Sequence, residues 1–187
     1  MTTDNKVDNI VYDKILPCIL ITGKGFPDYS TRKILRELLD LFHLEVIKYD
    51  LSLLPMLPYS CPYTNCVYVG DYDPYGIRIF LSYKEGCKTN EEGVYSCKNI
   101  KWVGMCSEDM TLFPKESLLA LTKKEKNVIR NLLKDNNLKN SSTIINQVHE
   151  MNKTNCKFEM EAVEYLGMDF FIRKYLIRKI LRKEWLM

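Results

Sequence analysis

The sequence predicts an α/β fold in which a parallel sheet is flanked by helices. Two apolar runs, residues 15–22 and 66–70, each end in a short turn, the first rich in glycine and the second rich in aspartate. Each turn leads into a segment whose apolar residues recur at helical spacing. Because strand and helix alternate in this order, neighbouring strands are expected to run parallel.

The first strand-and-helix unit begins with residues 15–22 (ILPCILIT), whose continuous apolar character is typical of a strand buried on both faces. The strand leads into the Gly-Lys-Gly loop at residues 23–25. Residues 30–44 then carry apolar side chains three and four positions apart, which predicts an amphipathic helix. Asp28 or Ser30 can cap the beginning of that helix.

The second unit begins with residues 66–70 (CVYVG), which predict a short strand. It delivers the turn Asp-Tyr-Asp-Pro-Tyr-Gly at residues 71–76, and an amphipathic helix is expected over residues 75–84. Residues 99–103 (NIKWV) predict a further strand.

The C-terminal half predicts helices separated by one long loop. Thr122 and Glu125 have the spacing of a capping box, which opens a helix. Residues 135–155 are rich in Asn, Ser and Lys and predict a long loop that could hold a short helix. Residues 158–186 predict two helices, broken near Gly167.

The length of 187 residues allows one substantial core with a small appendage. We assign residues 1–134 to the core domain, residues 135–155 to the loop and residues 156–187 to helices that pack on the same domain. Residues 45–65 contain three prolines and are atypical, since a connection from a helix to the next strand is usually about two to six residues. They are either a surface insertion or a flaw in the gene model.

The composition is that of an ordinary soluble protein, with 46% hydrophobic residues and a net charge of +3. No apolar run approaches the roughly 20 residues that span a bilayer, so no membrane partner is expected. The first residues lack the features of a signal peptide, which predicts an intracellular location. The seven cysteines are an odd number and are expected to be free thiols. A zinc site could be formed by Cys61, Cys66, Cys87 and Cys97, but their spacing differs from that of the usual cysteine pairs of zinc sites.

Asp71 and Asp73 are the candidate metal ligands. Alternate residues at the end of a strand project to the same side, about 6.5–7 Å apart along the chain. The carboxyl edge of a parallel sheet is where α/β folds bind ligands, and hard carboxylate oxygens suit Mg²⁺. The alternative is an aspartate-rich turn in which one acid caps the following helix, and spacing alone favours that alternative.

The glycine loop is a candidate phosphate contact. Its glycines permit close approach of the backbone to a phosphate, and Lys24 could neutralise one. The P-loop pattern is absent, so nucleotide hydrolysis is not supported. Arg32, one turn into the helix, could contact a DNA backbone or could be an ordinary solvated residue.

Together, the pattern GKGxPDxxTR over residues 23–32 and the pattern DxDPxG over residues 71–76 resemble the Toprim domain in the family of topoisomerase VI A-type subunits. That family includes the eukaryotic proteins that make meiotic double-strand breaks. The likeness continues through residues 83–84, 100–104, 121–123 and 159–162. It implies a Rossmann-like Toprim sheet, with Asp71 and Asp73 as Mg²⁺ ligands and Lys24 and Arg32 near the DNA. The implied wall of the site is formed by Gly23, Gly25, Asp28 and Gly76.

The resemblance also implies an activity and partners. In the family, a tyrosine hydroxyl on a separate N-terminal winged-helix domain attacks a DNA phosphate, and each of two subunits cuts one strand. The implied partners are double-stranded DNA, a second copy of the chain and an ATP-binding topoisomerase VI B-like subunit, in the nucleus or on the chromosome.

Two departures from the family pattern limit the activity that we expect. None of the twelve tyrosines matches the family's tyrosine motif, and the first metal-binding glutamate of the family is expected at about the point where this chain begins. We therefore expect no DNA cleavage by this polypeptide alone. The alternatives are a non-catalytic DNA-binding and dimerisation module in a recombination complex, or another Toprim enzyme such as a nuclease or primase.

The last predicted helix carries a basic stripe at Lys174, Arg178 and Arg182, which are four residues apart. Such a stripe can follow the phosphates of DNA. It can equally contact a membrane or a partner protein, or be the solvated face of a helix that packs on the core.

Overall fold

The computed structural model describes residues 18–48, 66–86, 95–139 and 141–187. It has a small parallel sheet among helices, which confirms the predicted α/β class. The strands are β1 (Val67–Tyr68), β2 (Lys101–Trp102), β3 (Leu119–Ala120) and β4 (Cys156–Lys157). The α-helices are α1 (Tyr29–Lys48), α2 (Pro74–Glu85), α3 (Lys123–Leu132), α4 (Asn136–Lys139), α5 (Ser142–Thr154) and α6 (Ile177–Arg182).

Two pairs of strands organise the described residues. β1 pairs with β2 in parallel, as the alternating strand and helix segments predict, and β3 pairs with β4 in antiparallel. At the other side of β2, Leu186 forms an antiparallel bridge with Trp102, through two backbone hydrogen bonds of 3.0 and 2.9 Å. The core beneath this sheet is aromatic, with Trp102 and Phe80 in edge-to-face contact at 5.5 Å between ring centroids.

The prediction of a buried strand over residues 15–22 is wrong for its described part. Residues 18–22 form no strand, and Leu20 is 96% exposed. An apolar run becomes a strand only when a neighbouring strand satisfies its backbone groups, and no described strand lies beside this segment. Residues 15–17 lie outside the described part of the chain.

The predicted helix starts are confirmed by their caps. The Thr31 amide donates to Asp28 Oδ1 at 2.7 Å, which caps α1. Both reciprocal bonds of the capping box are present at the start of α3, between Thr122 and Glu125. α1 continues to Lys48 and so includes the first residues of the predicted insertion; residues 49–65 lie outside the described part of the chain.

The prediction of a long loop over residues 135–155 is wrong, because α4 and α5 occupy most of it. Ile144, Val148 and Met151 lie on one face of α5 and are fully buried. Burial of this apolar stripe outweighs the weak helix propensity of the surrounding Asn and Ser residues.

The C-terminal segment is helical on both sides of Gly167, which has a left-handed φ of 79°. The break near this glycine is therefore confirmed. The first part is the 3₁₀-helix Met160–Tyr165, and the second is the π-helix Phe170–Leu176 followed by α6. Phe171 and Tyr175 are buried and anchor the second part to the core. Within the described ranges, no helix has both the length and the apolar character needed to cross a membrane.

Candidate metal centre

A two-stranded contact positions the candidate metal ligands just beyond β1. Tyr72 and Phe158 form an antiparallel bridge, with backbone hydrogen bonds of 3.0 and 3.1 Å in the two directions. Both rings are buried, and their centroids lie 5.1 Å apart. Because alternate residues of extended backbone point to opposite sides, Asp71 and Asp73 lie on the face away from these rings.

Asp73 is the N-cap of α2 and is 6% exposed. Its Oδ1 accepts a hydrogen bond from the Gly76 amide at 2.5 Å. Asp73 therefore does cap the following helix, as the alternative interpretation of the aspartate-rich turn predicts. A carboxylate has two oxygens, however, and Asp73 Oδ2 has no hydrogen-bond partner among the described residues. Capping and metal binding are compatible at this position.

Asp71 is held by the segment that follows β4. Its Oδ1 accepts a hydrogen bond from the Met160 amide at 2.7 Å, and in the described part of the chain Oδ2 has no such partner. One oxygen of each aspartate is therefore used to fix the carboxylate, and one oxygen of each is available to a ligand.

Burial and nearby negative charges raise the pKa of both aspartates and so disfavour their ionised form. The pKa of Asp73 is raised to about 6, mainly by burial and also by the charge of Asp71, while the Gly76 hydrogen bond partly opposes the rise. Burial likewise raises the pKa of Asp71, with contributions from Glu161 and Glu159. A cation bound between the free oxygens would relieve this repulsion.

The donor set fits Mg²⁺. Within residues 18–48, 66–86, 95–139 and 141–187, no group of three or more His, Cys, Asp and Glu side chains is arranged to hold a metal. Mg²⁺ is commonly bound through one or two carboxylates, with waters and phosphate oxygens completing its shell. Asp71 and Asp73 supply that minimum set.

Gly76 is required by the close fold of the backbone around the two acids. A Cβ at this position would lie 2.4 Å from the Asp71 carbonyl oxygen and 3.1 Å from Asp73 Oδ1. The Tyr68 hydroxyl donates to the Gly76 carbonyl at 3.2 Å, which ties β1 to the first turn of α2.

Further acids surround the pair and were not predicted from the sequence. Lys157 and Glu159 flank Phe158 in the bridge, and Glu125 forms an ion pair with Lys157. Beside them lies an open cleft of about 530 Å³, lined by Ser117, Leu119, Glu159, Glu161, Ala162, Glu164 and Tyr165. A surface this acidic repels phosphate unless a cation is present.

The glycine loop contacts the side of α2. A Cβ on Gly23 would lie 2.8 Å from the Tyr83 hydroxyl, and Arg78 stacks over Phe26 at 5.3 Å. Tyr83 lies about 13 Å along α2 from its first residue. The structure thus places the glycine loop along the side of α2, through the contacts of Gly23 with Tyr83 and of Phe26 with Arg78.

The predicted DNA contacts lie in two separate places. Lys24 is exposed at the tip of the glycine loop, and half-buried Arg32 has Nε 3.4 Å from the Asp28 carbonyl oxygen. Lys174, Arg178 and Arg182 are exposed on the C-terminal helical segment. The neighbouring Lys179 instead turns inward, and its Nζ lies 2.7 Å from Asp109 Oδ2.

Comparison with known proteins adds to this geometry. The family model for the Toprim domain shared by Spo11 and the A-type subunit of topoisomerase 6 matches residues 4–51 and 53–180. The chain is 28% identical over 189 residues to the meiotic recombination protein SPO11 of Mus musculus, covering 99% of this chain and 43% of that protein. It is 30% identical over 187 residues to the meiotic recombination protein SPO11-1 of Arabidopsis thaliana, covering 97% of this chain and 46% of that protein.

A relative with a different name matches at a similar level. The A-type subunit of DNA topoisomerase 6 from Arabidopsis thaliana is 28% identical over 174 residues, covering 91% of this chain and 36% of that protein. The chain therefore spans less than half of the length of the curated relatives that it matches.

Proposed function

Because this chain belongs to the Toprim-domain family of Spo11 and topoisomerase 6 A-type subunits, we propose that it is the Mg²⁺-binding part of a DNA double-strand-break transesterase. The observation that carries the proposal is the pair Asp71 and Asp73, each fixed through one oxygen and free at the other. Both acids lie just beyond the carboxyl end of β1, where α/β folds bind their ligands.

Asp71 and Asp73 would hold the metal through their free oxygens. When bound, Mg²⁺ would orient the scissile phosphate and stabilise its developing charge. The chain's own contribution is to keep both carboxylates in place, through the Met160 and Gly76 amides. The nucleophilic tyrosine would come from a winged-helix domain outside the residues of this chain.

DNA would be contacted by basic residues of two segments: exposed Lys24 and half-buried Arg32 near the start of α1, and exposed Lys174, Arg178 and Arg182 near the C-terminus. Contacts of lysine and arginine with DNA phosphates add affinity and carry no sequence information. Gly23, Gly25 and Asp28 would approach the DNA through the backbone of their loop.

At the level of the whole protein, the proposal includes a homodimer, an ATP-binding topoisomerase VI B-like partner and a nuclear or chromosomal location. The relatives' names support both a role in meiotic recombination and a role like that of the topoisomerase 6 A-type subunit. We also propose the division of the chain into a core over residues 1–134 and C-terminal helices over 156–187, with the helices α4 and α5 between them packed on that core.

A second candidate is a non-catalytic module that binds DNA and dimerises in a recombination complex. It is favoured by the role of Asp73 as a helix cap, which gives this residue a structural reason to be present. In that case the acids would serve only to cap α2 and to hold the Met160 backbone, and would bind no metal.

Calorimetric titration with Mn²⁺ or Mg²⁺ separates the two candidates. We expect the unmodified chain to bind the cation and the Asp71→Asn, Asp73→Asn double variant to lose binding. Asp40→Asn is the matched control, since Asp40 is exposed on α1 and pairs with Arg36 on the surface. Equal binding by all three proteins, or by none, would favour the non-catalytic module.

A further inference from the structure

We infer that Lys157 is a positioning residue of the metal centre: it holds Glu125 and Glu159 out of the metal site and weakens the hold of Asp71 and Asp73 on divalent cations. This inference rests on the proposed metal binding. One half-buried lysine would then control how strongly the site binds its cation and which acids reach the cation.

The backbone places Lys157 against the metal acids. Tyr72 and Phe158 face each other in the antiparallel bridge, so the residues that flank them face each other as well. Asp73 therefore lies opposite Lys157, and Asp71 opposite Glu159. The two buried rings occupy the other side, which leaves the four charged side chains on a common face.

Lys157 forms ion pairs with two further carboxylates. Its Nζ lies 2.9 Å from Glu125 Oε1 and 2.6 Å from Glu159 Oε1. The lysine side chain is only 12% exposed and that of Glu125 only 7%, so solvent screens their pairing weakly.

Glu125 is fully engaged by its neighbours. Its Oε2 accepts from the Thr122 amide and hydroxyl, both at 2.7 Å, while Oε1 pairs with Lys157. Asp71 and Asp73 each keep one oxygen without a partner among the described residues. Lys157 thus separates the nearby acids into a pair that it binds and a pair open to a cation.

The same ammonium also acts on the open pair. Lys157 lies opposite Asp73 across the bridge and its side chain is only 12% exposed, so its positive charge acts on the two metal acids with little screening by solvent. A fixed positive charge beside a cation site repels the cation. Loss of that charge should therefore tighten metal binding, by about tenfold if the coupling is typical of neighbouring charged sites.

The competing interpretation is that Lys157 only fastens β4 to the start of α3. A purely structural lysine would change the stability of the fold when removed, and the metal affinity of the folded protein would stay the same. The two interpretations therefore differ in the effect that they predict on metal binding.

The test is Mn²⁺ titration calorimetry on the whole chain, with the fold of each variant checked by circular dichroism. Lys157→Met should bind Mn²⁺ about tenfold more tightly than the unmodified chain. Glu125→Gln should bind it several-fold more weakly, because the lysine charge is then less compensated and glutamine preserves the capping box. The double variant should return close to the original affinity, and Lys157→Arg should bind as the unmodified chain does.

Lys153→Met is the matched control, since Lys153 forms an exposed ion pair with Glu150 on α5. Its affinity should be unchanged. If Lys157→Met does not fold, Glu125→Gln decides, and an unchanged affinity in that variant overturns the inference. If metal binding requires Asp71 and Asp73 but the affinity is unchanged in the Lys157 and Glu125 variants, the inference is overturned and the proposed function stands. A chain that binds no Mn²⁺ overturns the proposed function together with it.

Discussion

Replacing Asp73 by asparagine should stabilise the metal-free protein while removing its metal binding. Asparagine has nearly the same shape, and its carbonyl oxygen can still accept the hydrogen bond from the Gly76 amide. The substitution removes only the buried negative charge. A residue retained at a cost to stability is expected at a functional site.

The size of the effect follows from the pKa. The pKa of Asp73 rises from 3.8 in a model peptide to about 6 in the fold, mainly through burial. Its folded pKa lies above its unfolded pKa, so the ionised carboxylate destabilises the fold as pH increases through this interval. The destabilisation is about 3 kcal/mol near pH 7.5 and about half of that near pH 5.

The assay is urea unfolding in the presence of a chelator, at both pH values. Asp73→Asn should be the more stable protein near neutral pH, and its advantage should shrink in the more acidic buffer. Asp40→Asn, at an exposed position, should differ from the unmodified chain by no more than about 0.5 kcal/mol. An asparagine variant that is equally or less stable at neutral pH, or an advantage independent of pH, would refute the assignment of a destabilising carboxylate.

Three further expectations concern the core, the backbone and the DNA surface. Asp109→Ala should lower the free energy of unfolding by about 3 kcal/mol in urea, because it removes the buried carboxylate that pairs with half-buried Lys179; a change below about 1 kcal/mol would contradict this. Gly76→Ala should destabilise the fold by about 1–3 kcal/mol in the same assay, since the added methyl group overlaps the turn; an unchanged midpoint would contradict it. Arg178→Ala with Arg182→Ala should weaken duplex DNA binding and reduce its salt dependence by about two phosphate contacts, measured by fluorescence anisotropy; an unchanged salt slope would exclude that surface.

The local patterns that predict the fold correctly are those with their own hydrogen-bond chemistry. The capping box at Thr122 and the caps at Asp28 and Asp73 fix where helices begin, independently of distant residues. The strand predictions over residues 66–70 and 99–103 hold because these strands pair with each other. Residues 15–22 are as apolar as those two segments, but no described strand pairs with them. Their described part forms no strand.

Long-range pairing limits what the sequence can predict about the site. The spacing of Asp71 and Asp73 is local, so the sequence indicates both. Lys157 and Glu159 reach the same place through a bridge between residues distant in the chain. Nothing in their local pattern indicates that contact. The α5 helix was not predicted for a related reason. Its apolar face stabilises the helix only when it is buried against the core, which is formed by residues distant in the chain.

The most direct test of the account is to locate the metal. Crystals of the chain soaked in MnCl₂ would be measured for anomalous scattering. We expect one peak bound by the free oxygens of Asp71 and Asp73, at about 2.1 Å from each. A peak elsewhere, or no peak at these carboxylates at saturating Mn²⁺, would contradict the assignment of this pair as the metal centre.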